Sequence, residues 1–266
     1  MATNYTEFSV SDKNHLLKLL QDNGRALEYA NHELRADKEI VLCAVKQKGR
    51  ALKFASAELC NDFECVLAAV TQNGKALEYA ADELKSNLDI VTAAVKNNGS
   101  ALVFANDELK SSPAVVLAAV SQNGGALKFA TDNLRSDYEL VLAAVKLKGR
   151  ALEFVAEELR ADKSIVLAAV GENDWAFAYA SDELRADKNF AMQIVTLKGR
   201  ALEYVSAELK ADPELVLTAA VEYQWALDYA DSNLMANRDF ILAAVKLHGL
   251  ALEYASENLR ADREIV

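Results

Sequence analysis

Asn23-Gly-Arg-Ala-Leu-Glu-Tyr-Ala30 returns 25 residues later as Lys48-Gly-Arg-Ala-Leu-Lys-Phe-Ala55. Further copies begin at 73, 98, 123, 148, 173, 198, 223 and 248, with no insertion or deletion between them. A fixed period of this length marks a stack of supersecondary units, since one unit cannot bury its apolar face alone. Within the unit Ala stands at 26 and at every copy up to 251. An aromatic recurs from Tyr29 to Tyr254, and Leu from Leu34 to Leu259. Ala26, Leu27, Ala30 and Leu34 follow the spacing of an apolar stripe on a helix, so the first half of each unit is predicted to be a short amphipathic helix.

A short polar residue comes next: Asp37, Asp62, Asn87, Ser112, Asp137, Asp162, Asp187, Asp212, Asn237 and Asp262. Each carries an oxygen able to accept from the first free amides of a helix. The only two prolines, Pro113 and Pro213, stand directly after it, in the first helical turn where a missing N–H costs nothing. Carboxylates such as Glu39, Glu64, Asp89 and Glu214 suit the positive end of the helix dipole. A second helix follows, with Ile40, Val41, Ala44 and Val45 on one face. The glycines at 24, 49, 74, 99, 124, 149, 199 and 249 are read as left-handed caps that end it. Four of them follow Asn, a pair that also signals a β-hairpin, but the flanking apolar residues recur every three to four positions and favour helices.

Each unit is therefore expected to be two helices of about ten residues, too short to be stable alone. The expected fold is all-α, a right-handed α-solenoid of ten 25-residue helical hairpins forming an α/α superhelix. Residues 1–22 read as an N-terminal capping segment, because His15 and Lys18 stand where later copies are apolar or small. Residues 23–266 form the tandem array. Asp262-Arg-Glu-Ile-Val266 stops partway through a second helix of interior character, which suggests a longer natural protein or a covered end.

Composition narrows the function. Of 266 residues, 52% are hydrophobic, with only 10 Gly and 2 Pro, which is neither disordered nor loop-rich β. The longest apolar runs, such as Ile40 to Val45, are far short of a bilayer span. MATNYTEFSV lacks the pattern of a secretory signal. Three cysteines give no disulfide framework and fit a reducing, cytoplasmic compartment. A net charge of −11 disfavours nucleic acid and anionic membranes as partners.

The string Ala251-Leu-Glu-Tyr-Ala-Ser-Glu-Asn-Leu-Arg-Ala-Asp-Arg-Glu-Ile-Val266, together with Ile165-Val-Leu-Ala-Ala-Val170, resembles the domain-of-unknown-function family numbered 4116. The family's unit of some fifty residues would be two of the present repeats, and the resemblance runs from about Asp12 to Val266. It implies tandem helical repeats, found in protists and in bacteria that live inside them, and raises a host-directed bacterial effector as one role. No shared activity or site residue comes with it. Asp174 and Gln224 depart from the pattern by replacing the turn glycine.

Chemistry is sparse. His15, His32 and His248 occupy three different phases, and Cys60 and Cys65 have no partner pair, so no metal site is expected. Cys43 and Cys65 take core phases, whereas Cys60 replaces a basic residue and is a reactive thiol only if it is exposed. No Ser–His or Cys–His arrangement and no phosphate loop is visible, so no catalysis and no cofactor are expected. Two charge rows remain, one from Glu33 to Glu208 and one at 35, 85, 110, 135, 160, 185, 210 and 260. They read either as solvated rows that neutralise one another between repeats or as a phosphate-binding strip. Trp175 and Trp225, the only tryptophans, replace the arginines of positions 25, 50, 150 and 200, and Tyr223 stands beside the second. Either this turn edge docks a protein partner, or each Trp folds locally over a turn that has lost its glycine. The chain is thus expected to be a non-catalytic interaction or scaffold module. The alternative is a substrate-recruiting region of an enzyme whose catalytic domain lies elsewhere.

Overall fold

The computed structural model describes residues 10–265, and among them the fold is all-α. Ten-residue helices recur from Lys13–Asp22 to Arg238–Leu247, each followed by a 3-10 helix of six residues and a short helical turn. The chain divides into two compact units between Leu140 and Val141, and the repeats within each unit are built alike.

The long helices start as their caps dictate. Asp37 accepts from the Glu39 and Ile40 amides at 3.0 and 3.2 Å, and Asp212 from Glu214 and Leu215 at 3.0 and 3.1 Å. Ser112 makes no such bond, but Pro113 follows it and removes one amide that would need a partner. Ile40, Val41, Ala44 and Val45 are fully buried, and their counterparts in later repeats are buried too, apart from the half-buried Val245.

The first half of the unit differs from the single helix expected. Gly24–Tyr29 is a 3-10 helix, two extended residues follow, and His32–Arg35 forms a separate turn. The break has two causes. Asn31, at φ −69° and ψ 171°, caps the new turn by accepting from the Leu34 amide at 2.9 Å, as Ser56, Asn106, Ser181 and Ser206 do in their repeats. The extended residue also ties repeats together: Ser56 N–H donates to Arg35 O at 2.9 Å, and Ser206 N–H to Arg185 O at 2.9 Å. A continuous helix would direct that amide inward along its own axis. The predicted stripe still reaches the core, because Leu27 and Leu34 remain buried.

The glycines are not left-handed caps: none of the described glycines has positive φ. The chain turns at the preceding residue, which is extended (Asn23 at φ −149°, ψ 99°), and Asn23, Asn73, Asn98 and Asn173 accept from the amide two residues on. The glycine is needed for close approach. A Cβ on Gly49 would overlap the carbonyl oxygen of Ala69 in the next repeat's helix, and Gly74, Gly99, Gly149 and Gly199 face the matching carbonyls of Ala94, Ala119, Ala169 and Ala219. A backbone atom cannot swing aside as a side chain would, so the position excludes any Cβ without displacing the neighbouring helix.

That approach permits a second bond between repeats. Gly49 N–H donates to Gln72 Oε1 at 2.6 Å, Gly74 N–H to Asn97 Oδ1 at 2.7 Å, and Gly149 N–H to Glu172 Oε2 at 2.6 Å. On the opposite end of the long helices, Lys13 reaches Asp37 and Glu39 at 2.7 Å, and Lys38 reaches Asp62 and Glu64 at 2.9 and 3.0 Å. Lys188 does the same with Asp212 and Glu214 at 2.7 and 3.1 Å. This row neutralises charge between repeats. The basic row from Arg35 does not, contrary to expectation: the ion pairs found for it, at Lys85, Lys110, Arg135 and Arg185, are with the Asp three residues before in the same repeat. Arg185 also reaches the Tyr204 carbonyl of the next repeat at 3.5 Å. Arg35 donates to the Glu28 and Ala30 carbonyls at 2.7 and 2.9 Å, and Lys85 pairs with Asp82 at 3.1 Å.

Candidate functional site

Two junctions in the second unit depart from this scheme. Asp174 and Gln224 occupy the glycine position, facing the helices Lys188–Leu197 and Arg238–Leu247. The pairs Lys163–Glu172 with Lys188–Leu197, and Pro213–Glu222 with Arg238–Leu247, pack less closely than Lys188–Leu197 with Pro213–Glu222, where Gly199 is present. The facing Ala219 and Ala244 are alike, whereas Gln224 puts a side chain where Gly199 has none. At the first, Ile194 replaces the facing Ala and adds bulk. The polar residue that accepts from the glycine amide is also absent, its place taken by Leu197 and Leu247.

The tryptophans stand next to these junctions. Trp175 and Trp225 each occupy the second position of their 3-10 helix and are 53% and 46% exposed. They do not fold down into the gap. Trp175 is held at its backbone by Asn173 Oδ1, which accepts from its amide at 3.0 Å, and its ring carries the Arg200 guanidinium 5.2 Å from the centroid. Arg200 stands one repeat on, in the register between the two tryptophans. Such contacts are worth about 0.5–1 kcal/mol at exposed sites. Tyr223 is half-buried, and its Cβ and amide pack against the Gly199 backbone, so it belongs to the repeat interface more than to the exposed edge.

The same phase reaches the tyrosines one repeat on. In the first unit, Arg50 donates to the Tyr79 hydroxyl of the next repeat at 2.7 Å, and Arg200 holds Tyr229 in the same way. Tyr204 and Tyr254 lie one repeat beyond a Trp. Burial, aided by the Glu203 carboxylate, pushes Tyr204 up to about 12. Burial and Asp228 push Tyr254 up to about 12.

The edge extends beyond the residues singled out from sequence. Leu147, Leu197, Val221, Leu247 and Leu250 of the second unit are also exposed, and by the repeat register Leu197 and Leu247 lie at the turns that carry the tryptophans. The signal for them was present: Leu147, Leu197 and Leu247 recur every 50 residues at a phase that is polar in every other repeat. In the first unit the same phase holds Gln47, Gln72 and Asn97, and the Trp phase holds Arg50, Lys75 and Ser100.

The remaining candidates fall elsewhere. Cys60 is half-buried, its Sγ 3.5 Å from Leu52 O, and burial raises its pKa; the exposure a reactive role required is missing. Cys65 is buried, with its thiol pushed up to about 12 chiefly by that burial. His248 Nε2 lies 2.8 Å from Ala220 O. Among the described residues no group of three His, Cys, Asp or Glu side chains is arranged to hold a metal, and no helix is long and apolar enough to cross a membrane.

The family described as Domain of unknown function (DUF4116) matches residues 13–60, 37–85, 62–110, 113–160, 162–210, 187–235 and 237–266. No curated protein and no solved structure matches the chain. The chain belongs to that family, and successive matches begin one or two of the 25-residue repeats apart.

Proposed function

We propose that this DUF4116 chain is a non-catalytic protein-interaction module, and that the apolar edge of its second unit docks the partner. The observation that carries this reading is the coincidence, at both glycine-less junctions, of a loosened helix pair with an exposed Trp and an exposed Leu. Trp175 with Leu197 and Trp225 with Leu247 are two such sites, two repeats apart. A Trp left half-exposed costs solubility without adding to the core, and Trp is enriched among the few residues that dominate binding energy. Arg200 between them supplies a charged donor fork, which suits a partner presenting two apolar anchors with a carboxylate or carbonyl between. The three thiols are free and suit a reducing cytoplasm.

A partner recovered with the intact chain tests this. Trp175→Ala with Trp225→Ala is expected to weaken it by about 2 kcal/mol or more, roughly thirtyfold, as truncation of central anchors does, while the thermal unfolding of the chain is unchanged. Unaltered affinity would reject the edge as the docking surface.

A further inference from the structure

The first unit carries a feature of opposite character. An open cleft of about 250 Å³ is lined by Arg25, Lys48, Arg50, Lys53, Phe54 and Tyr79, with no carboxylate in its wall. Four cations meet there in a chain of net charge −11.

The local sequence rule explains how they come together. Wherever Arg opens the 3-10 helix at this phase, Glu stands three residues on and pairs with it: Arg25–Glu28 at 2.7 Å, Arg150–Glu153 at 3.1 Å and Arg200–Glu203 at 3.9 Å. The exception is Arg50, which is followed by Lys53. A like-charge pair at this spacing destabilises the helix that carries it. Arg50 turns away and crosses to the next repeat, where it meets the Tyr79 hydroxyl at 2.7 Å and Glu78 at 3.3 Å. Its guanidinium lies 5.7 Å from the Tyr79 ring centroid, and Lys53 Nζ lies 5.8 Å from that of Phe54. The two rings and the two cations thus line the cleft together. Lys48 adds a third charge where Asn caps the turn in five other repeats, and Lys48 makes no such cap bond. One repeat on, the same four phases hold Arg50, Asn73, Lys75 and Glu78, so the four-cation set does not recur there.

We propose that this cleft binds a small phosphate-bearing ligand whose charge offsets the Arg50–Lys53 repulsion. Glu28 and Glu78 engage Arg25 and Arg50, and Lys48 and Lys53 are left without a carboxylate partner in the cleft wall. The volume lies below the roughly 300–1,000 Å³ of sites for drug-sized molecules. It suits a diphosphate group better than a whole nucleotide. The guanidinium forks of Arg25 and Arg50 match phosphate oxygens in pairs, and Lys48 and Lys53 act as point charges beside them.

Titration calorimetry of the full chain with inorganic pyrophosphate tests this, with sodium sulfate at matched ionic strength as the control. Saturable one-site binding of pyrophosphate is expected, with sulfate much weaker. Lys53→Glu restores the Arg–Glu pairing of the other repeats, so it is expected to raise or preserve thermal stability while weakening pyrophosphate about tenfold or more, the scale of reversing one charge at contact distance near the surface. Lys48→Gln, which leaves the Arg50 surroundings intact, is expected to weaken it less. No binding to the wild-type chain, equal response to sulfate, or undiminished binding by Lys53→Glu would each overturn the proposal.

Discussion

Gly149 donates its amide hydrogen to Glu172 Oε2 across a repeat boundary at 2.6 Å, and the bond exists because Gly149 has no side chain. A Cβ there would overlap the Ala169 carbonyl oxygen and crowd Asn173 Cβ at 3.0 Å. One absent methyl therefore lets two repeats approach and make a polar contact together.

Gly149→Ala is expected to destabilise the chain by about 1–3 kcal/mol, the cost of overpacking against rigid backbone. Gly171→Ala provides the opposite control, since its helix is regular and nothing lies within 4 Å of a Cβ there. That change is expected to stabilise by about 0.5–1 kcal/mol through helix propensity. Denaturant unfolding of the two variants checks both signs.

The same logic separates what the sequence disclosed from what it hid. The period, the caps from Asp37 to Asp262 and the buried face through Ile40 and Val45 were legible, because each depends on local chemistry repeated in every copy. The split of the Ala26–Leu34 stripe was not, since the extended residue is chosen by an amide bond to the neighbouring repeat. Asn31, Ser56 and their counterparts carry a cap signal that the stronger apolar pattern masks. The glycine was read through its own backbone freedom, whereas its role lies in the surface of the next helix. Trp175 and Trp225 stood out by composition alone. Leu197 and Leu247 became meaningful only once the turn edge was known to be exposed.

Acid should weaken the repeat interfaces. Asp37 is held below its ordinary pKa chiefly by the Lys13 ammonium, and Asp187 chiefly by Lys163. A carboxylate whose folded pKa is depressed contributes stability above its unfolded value, about 3.9, and loses it as pH falls through the lower folded value. The unfolding midpoint is expected to be level from about pH 8 to 5 and to fall below about pH 4. Lys13→Gln with Lys163→Gln should shallow that fall. An identical acid limb in this variant would mean that these pairs contribute nothing to it.

Tyrosine ionisation reports on the edge directly. Burial pushes Tyr204 up to about 12, and the Arg that reaches the corresponding hydroxyl in Tyr79 is replaced before it by Trp175. Trp175→Arg is expected to bring a second cation to Tyr204 and lower its pKa, while burial keeps it above the ordinary value near 10, as it keeps Tyr229 beside Arg200. Tyrosinate absorbance against pH, compared with a Tyr204→Phe variant to assign the signal, reads the shift. An unchanged titration would show that the Arg–Tyr tie is not transferable between repeats.

The docking edge is tested most directly by placing a photo-reactive amino acid at single positions and identifying what it captures from living cells. Positions 175 and 225 are expected to yield the same protein partner, while the equivalent positions 75 and 100 in the first unit yield none of it. The capture at 225 should disappear when Trp175 is changed to Ala. Equal capture of that partner at all four positions, or none at 175 and 225, would contradict the assignment of the second unit's apolar edge as the binding surface.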